Sequence, residues 1–559
     1  MWTSQKPPIC GKTGRNNGKE RIWCVMMRKL IIKGTEISSV SITAGDSKPE
    51  QYAAAELAKY LGKIAGIAND SAGTSYPIHL GINPDIGRDG YRISVCDTTG
   101  LYILGGNGRG VIYGVYEFLE KYAGCRFFMP DLEFLGEGDI VVDEGCAFTP
   151  VLEFRQSDWM CGNDLAWSVK NKINNRTIPL RREFPEEMGG CQKYAKGWFA
   201  HTMKVLTDEE VPCLSDPKIL KKTIARVREA LEDDPDATII TVSQNDGLAH
   251  CTCERCAAIT EEEESPMGVQ LRFVNAVADA IKDDFPHVAV DTLSYVYTRK
   301  PPKITKPRPN VCIRLCSFEC CSIHPLSDPT CPENKKFYED ITEWNKICDR
   351  IYIWDYVTNF VHSIPVFPNF DSIRQNMRFF AEHGVKGIYP EGNYYGLKSG
   401  EFGELRCYLL ARLMWNPYMT TTEYYRHMDE FLAAYYGEGW RYIRAYIDYT
   451  VMEAKGRHFR VANTPFEIIP KDRYEAMEET IDCWWNKAEE LAGDRLEAVR
   501  RSRMQWRYMK LMLKPDAAEG QRLLDDVKRD NVNWSEWKPF PEDFNFEETP
   551  DLWLKNYPE

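Results

Sequence analysis

Apolar positions along this chain fall into two regimes, short β-branched runs and longer stretches with a helical period, and their order predicts the architecture. The pattern begins at Leu30. Leu30 to Ile32 and Val40 to Thr43 read as strands, and Pro49 to Ile64 as an amphipathic helix with Ala53, Leu57, Tyr60, Leu61 and Ile64 on one face. Strands at Ile78 to Gly81, Tyr91 to Val95 and Leu101 to Leu104, then a helix at Val111 to Tyr122, complete a small α+β domain over 30–149. Between 150 and 419, strand-like runs alternate with amphipathic helices, which predicts an α/β fold, a parallel (β/α)8 TIM-like barrel. Its clearest strands are Ala237 to Val242, His287 to Thr298, Val311 to Cys320, Ile351 to Phe360 and Val385 to Tyr395. Phe154 to Met160, Ile173 to Arg176 and Gly197 to Met203 bring the number to eight. Residues 420–559 read as a helical C-terminal region ending in an extended tail, and residues 1–29 as a disordered N-terminal arm.

Composition narrows the function. A net charge of -13 with dispersed Lys and Arg offers no basic stripe to a phosphate backbone, so nucleic acid is not an expected partner. No apolar run approaches the ~18 residues a membrane span needs. The polar N-terminus lacks the apolar core of a secretory signal, so a cytoplasmic location is expected. Fifteen Trp and 29 Tyr are many for the length; such rings fill cores and also stack on sugar faces. Oligomeric state is not readable.

Barrel enzymes keep their chemistry at the C-terminal ends of the strands, so the strand ends give the candidate site. The run Ala237 to Val242 stops at once in Ser243, Gln244, Asn245, Asp246 and Gly247. Carboxylates also end three later strands, at Glu319, Asp355 and Glu391. Paired carboxyl groups are what glycoside hydrolysis requires, one to protonate the leaving oxygen and one to stabilise or capture the developing cation. Asp246 is expected as general acid, kept protonated by desolvation, with Asn245, Asp355 and Glu391 as the other catalytic candidates. Trp159, Arg176, His201, Tyr295, Tyr297, Glu319, Tyr356 and Tyr394 complete the mouth as substrate-binding candidates.

Two further motifs need a reading. GGNGRG, Gly105 to Gly110, matches G-x-G-x-x-G between a strand and a helix, but no acidic residue is plainly placed for a ribose, so it reads as a tight turn. Nineteen cysteines in a long chain do not suggest a disulfide framework. Cys251, Cys253 and Cys256 stand as C-x-C-x2-C after the Asp246 strand, and Cys320, Cys321, His324 and Cys331 follow a later one. These are either free thiols or a structural zinc site of Cys251, Cys253 and Cys256 with Cys331 as the fourth ligand. No cofactor is expected for catalysis.

The strings AAAELAKYLGKIAG, GYRISV and LYILGGNGRGVIYGVYEFLEKYAGCRFFMP resemble the small α+β domain that precedes the barrel in β-hexosaminidases and α-glucuronidases. The order VSQNDG, CTCERC, DTLSYVYTRKPP, CSFECCSIHPL, IYIWDY, GIYPEGNYYG and GEFGELRCYLLARLMWNP resembles a bacterial family known as domain of unknown function 4838. Some members form glycoside hydrolase family 163, endo-β-N-acetylglucosaminidases acting on N-glycans. The resemblance implies a retaining glycosidase that cleaves N-acetylglucosamine-containing oligosaccharides by substrate assistance, with Asn245 or Asp355 holding the acetamide. The alternatives are a catalytically silent glycan-binding protein and an α-glucuronidase-like hydrolase, which would need basic groups such as Arg176 and Arg299.

Overall fold

The computed structural model describes residues 28–70, 75–175, 183–393, 396–398 and 400–535. Nearly all of the expected arm, the end of the tail, Arg176 and Tyr394 lie outside them.

The N-terminal unit is a six-stranded sheet in the order Cys146–Phe148, Tyr91–Cys96, Gly100–Gly105, Tyr76–Ile82, Ser39–Ala44, Ala68–Asn69. Two helices pack with it. Lys48–Ala65 starts in a capping box between Ser47 and Glu50, and it buries the face that its period predicts, Ala53, Leu57, Tyr60, Leu61 and Ile64. Gly108–Lys121 follows the glycine motif, with Asn107 as its N-cap. That motif is a tight turn. A Cβ at Gly106 would lie 1.7 Å from the Gly87 carbonyl oxygen, and one at Gly110 2.2 Å from that of Gly90, so glycine is needed for this close backbone approach.

The central sheet is wholly parallel, in the order Phe154–Arg155, Gly387–Glu391, Ile351–Tyr356, Val311–Cys316, Ala289–Ser294, Ile239–Thr241. Two single bridges extend it at both edges, Gln156 to Asn175 and Tyr194 to Ile239. This curled parallel sheet places six of the strands expected of a barrel, and the single bridge at Asn175 falls within the second, with one correction at the third. The third stave lies at Lys193 to Ala195, bonded to Thr238 and Ile239, and not at Gly197 to Met203. The latter segment is turn and loop leading into the helix Met203–Thr207. Its mixed polarity imitated a strand.

Side chains alternate across each barrel strand. Inside, Phe154, Tyr194, Ile239, Cys312, Tyr352 and Tyr389 form their own apolar cluster, with Phe199 and Trp354 against it. Outside, Ile313, Leu315, Ile351, Ile353 and Ile388 join the main core beneath the helices. The helical C-terminal region follows as Thr421–Tyr436, Trp440–Ala454, Lys471–Leu491, Leu496–Leu513 and Ala517–Asp530. Among the described residues no helix is long and apolar enough to cross a membrane.

Candidate active site

The lumen has a charged floor. Arg314 and Asp291, each almost fully buried, pair at 3.3 Å, and Thr241 Oγ1 donates to the same carboxylate at 3.3 Å. The Arg314 guanidinium lies within 6 Å of the rings of Phe154, Tyr194, Phe199, Tyr352 and Trp354. An aromatic box thus encloses the cation.

Above the floor stands Glu391. It closes its strand, lies opposite Tyr356 in register, and is buried, and its Oε2 accepts a hydrogen bond of 2.6 Å from the Trp354 indole. The two residues before Gly392 in space come from the first barrel strand's end. Asp158 Oδ2 accepts from the Gly392 N–H at 3.0 Å, and the Trp159 ring lies so close that a Cβ at Gly392 would sit 2.4 Å from it. Trp159 is therefore a buried buttress behind Glu391.

Tyr295 and Tyr356 both lie near this carboxylate, and Asp246 lies near Tyr295. Burial, then the nearby Cys316, Glu391 and Tyr295, hold the Tyr356 phenol well above its usual range. Burial followed by the Asp246 carboxylate does the same for Tyr295. A strained turn sets Tyr295, because Val296, a β-branched residue, adopts φ 51°. Gln244 fixes this turn, its Nε2 donating to the Tyr295 carbonyl at 3.1 Å. Asp246 itself is 73 % exposed, accepts from the Gly247 N–H and has His201 Nε2 at 4.0 Å. The desolvation expected of it is absent.

Four other candidates are placed elsewhere. Asp355 follows Trp354 on the strand, so alternation turns it outward, where it lines a small cavity with Ser317, Cys320, Asn369 and Asn376. Ser317 Oγ donates to it at 2.5 Å, and burial raises its pKa. Asn245 spends its carboxamide on main chain: Oδ1 accepts from the Lys204 N–H and Nδ2 donates to the Glu210 carbonyl, both at 2.8 Å. Glu319 accepts from Arg299 at 2.7 Å, and Arg299 also binds Asp340 at 2.8 Å. Tyr297 stacks on His250 at 4.3 Å, beside Asn245 and Cys251, and not with Tyr295.

A profile of the family described as domain of unknown function DUF4838 matches residues 137–448, more than half of the chain. The chain belongs to the DUF4838 family. No curated protein matches it. Among solved structures it resembles a family GH115 4-O-methyl-α-glucuronidase with specificity for decorated arabinogalactans, at 12% identity and a TM-score of 0.52 over 93% of this chain and 79% of the other. It also resembles a GH138 enzyme targeting pectin rhamnogalacturonan II, at 11% identity and a TM-score of 0.47 over 92% and 97%. A chitobiase of Flavobacterium johnsoniae gives 10% identity and a TM-score of 0.45 over 94% and 96%. These likenesses concern the fold.

Sequence reasoning missed several residues of this DUF4838 site. Trp354 was legible, since Tyr352, Trp354 and Tyr356 share one face of their strand. Phe199 was not, because it sits in a loop whose course no period predicts. The loop thiols were half found. Cys213, Cys251, Cys253 and Cys256 bring their sulfurs within 4.8 Å of one another, with Cys213 at 3.6 Å from Cys253 and 3.9 Å from Cys256. The fourth thiol is Cys213, not Cys331. Cys331 lies in a separate group with Cys321, His324 and His458. At Cys253, donation from the Cys256 backbone N–H, then from Cys213, lowers the thiol pKa to about 6. This donor set could hold zinc, because the edges of a tetrahedral zinc–thiolate site measure about 3.8 Å.

Proposed function

We propose that this DUF4838 protein is a glycoside hydrolase whose working carboxylates are Glu391 and Asp246. The observation that carries the reading is Glu391, a buried carboxylate held by an indole N–H at the C-terminal end of a parallel strand, with the Tyr295 and Tyr356 side chains nearby. A sugar in such a mouth rests on rings, and a fixed negative charge lies beneath its anomeric carbon as positive charge develops there. Glu391 then stabilises or captures that centre. Asp246 lies near Tyr295 on the solvent side, where a general acid and base would stand.

The substrate class we infer is N-acetylglucosamine-containing glycans, cleaved with retention, on the family resemblance of the mouth motifs. With Asn245 and Asp355 bonded elsewhere, an acetamide would be oriented by Tyr295, Tyr356 or Glu391. Of the two cations expected to meet a uronate, Arg299 is taken by Glu319 and Asp340, and Arg176 lies outside the described residues. We also infer a structural zinc at Cys213, Cys251, Cys253 and Cys256, where it would pin the loop that follows Asp246. The reaction needs no step through it.

The test is hydrolysis of chromogenic β-N-acetylglucosaminides, α-glucuronides and intact N-glycans by wild type, Glu391→Gln and Asp246→Asn. On substrates with poor leaving groups, Asp246→Asn should lose about 10²–10⁴-fold in kcat/KM and recover much of it when the leaving group is a good one. Glu391→Gln should lose at least as much with either. Turnover by Glu391→Gln within a few fold of wild type sinks the assignment.

A further inference from the structure

Cys321, His324 and Cys331 come from the loop after the strand Val311–Cys316, and His458 comes from the segment after the helix Trp440–Ala454. The chain separating Cys331 from His458 is 127 residues long, and His458 lies ten residues past the end of the family match. Their ligand atoms nevertheless gather within 4.8 Å of one another. Each thiol faces one imidazole nitrogen. Cys321 Sγ is 3.4 Å from His324 Nδ1, and Cys331 Sγ is 3.5 Å from His458 Nδ1. With bonds of about 2.3 Å to sulfur and 2.0 Å to nitrogen, the sulfur–nitrogen edge of a tetrahedral zinc site is about 3.5 Å. Both observed separations match that edge.

The surroundings are those of a built site. The two imidazole rings have centroids 4.6 Å apart, with His324 half-buried and His458 exposed. Asn334, fully buried in the helix Pro332–Asn345, wraps the ligand loop. Its Oδ1 accepts from the Cys321 N–H at 2.8 Å, and its Nδ2 donates to the His324 carbonyl at 3.0 Å. Such outer contacts orient ligands before metal arrives. Two more bonds span the same junction, Ser322 N–H to the Phe459 carbonyl at 2.8 Å and Arg460 Nε to Glu333 at 3.1 Å.

We propose that Cys321, His324, Cys331 and His458 form a second structural zinc site, one that staples the helical C-terminal region to the barrel loop carrying Ser317. Zinc suits the donor set better than other common ions, because two thiolates and two imidazoles in a closed tetrahedron are a structural zinc combination. The loop so held reaches the outer face of the barrel mouth, where Ser317 meets Asp355.

The experiment is elemental analysis of the purified full chain, with cobalt exchanged for zinc as a spectroscopic probe. Wild type should carry about two zinc ions per chain, Cys213→Ser about one and His458→Ala about one. The cobalt form of Cys213→Ser should show tetrahedral d–d bands, and His458→Cys should keep the ion while strengthening the sulfur-to-cobalt absorption. Cys213→Ser isolates the second site without touching it, so a His458→Ala chain that failed to fold would not blunt the test. Metal-free Cys213→Ser protein, or wild type with a single ion that His458→Ala retains, overturns the proposal.

Discussion

A Cβ at position 392 would sit 2.4 Å from two ring carbons of Trp159, well inside van der Waals contact, and the residue before it is Glu391. Gly392→Ala should therefore push the Glu391 main chain away from its indole partner. Overpacking of this kind costs about 1–3 kcal/mol, and a shift of about 1 Å in a reacting group can cost about 10²-fold in rate. We expect a small fall in melting temperature and a kcat loss of at least about 10-fold. A variant with wild-type kcat would show that the buttress does not set the carboxylate. At this scale the sequence was only partly informative. Trp159 and Glu391 were legible as strand-end residues, but that one backs the other depends on a glycine between them whose role no local pattern marks. Asn245 and Asp246 are adjacent and were both read into the site, yet the structure gives the first to the main chain of Lys204 and Glu210 and leaves the second in solvent.

Strand alternation sorts the carboxylates by face. In Ile351–Tyr356 the aromatic residues Tyr352 and Trp354 point into the lumen, and Asp355 stands with Ile351 and Ile353 on the helix side. Counting strand ends without their parity therefore groups carboxylates that face opposite sides of the sheet. Asp355→Asn should leave turnover within a few fold of wild type. Its stability signature has a definite sign. Burial raises the Asp355 pKa above 3.8, so the folded protein holds this proton longer than the unfolded chain does. The contribution is fully present below 3.8 and is lost as pH rises through the folded value. Asp355→Asn, which cannot ionise, should flatten that decline in urea melts across the acidic range. A larger decline in the variant, or loss of turnover, would mean that the carboxylate is ionised and working.

Across the whole molecule, the small N-terminal unit and the barrel are joined by buried charge. Asp89, 1% exposed, accepts from Arg109 and Asn107 of its own unit, and from Arg155 and Asn174 of the first two barrel staves, all at 2.9–3.0 Å. Glu120 does the same farther along, bonded to Lys172 and Arg412. Most of the strands in the two six-stranded sheets were readable from hydrophobic period. The junction was not, because Asp89 sits in a loop and its partners lie 18 to 85 residues away. Nothing in a local window distinguishes such an aspartate from a solvated one. Burial alone would raise the Asp89 pKa, but Arg109 and Arg155 overcome it and hold the carboxyl well below 3.8. Stability from this group is therefore present above 3.8 and is lost as pH falls toward the folded value. Asp89→Asn keeps the shape and removes the charge, which leaves the guanidinium of Arg155, with no exposed surface, and that of Arg109 uncompensated. Removing one partner from a buried pair costs about 3–5 kcal/mol, so denaturant melts at neutral pH should show a loss in that range. The difference from wild type should shrink as pH falls and the wild-type carboxyl itself takes up a proton. A loss below about 1 kcal/mol at neutral pH would mean that the two arginines are satisfied without Asp89 and that its charge does not hold the junction.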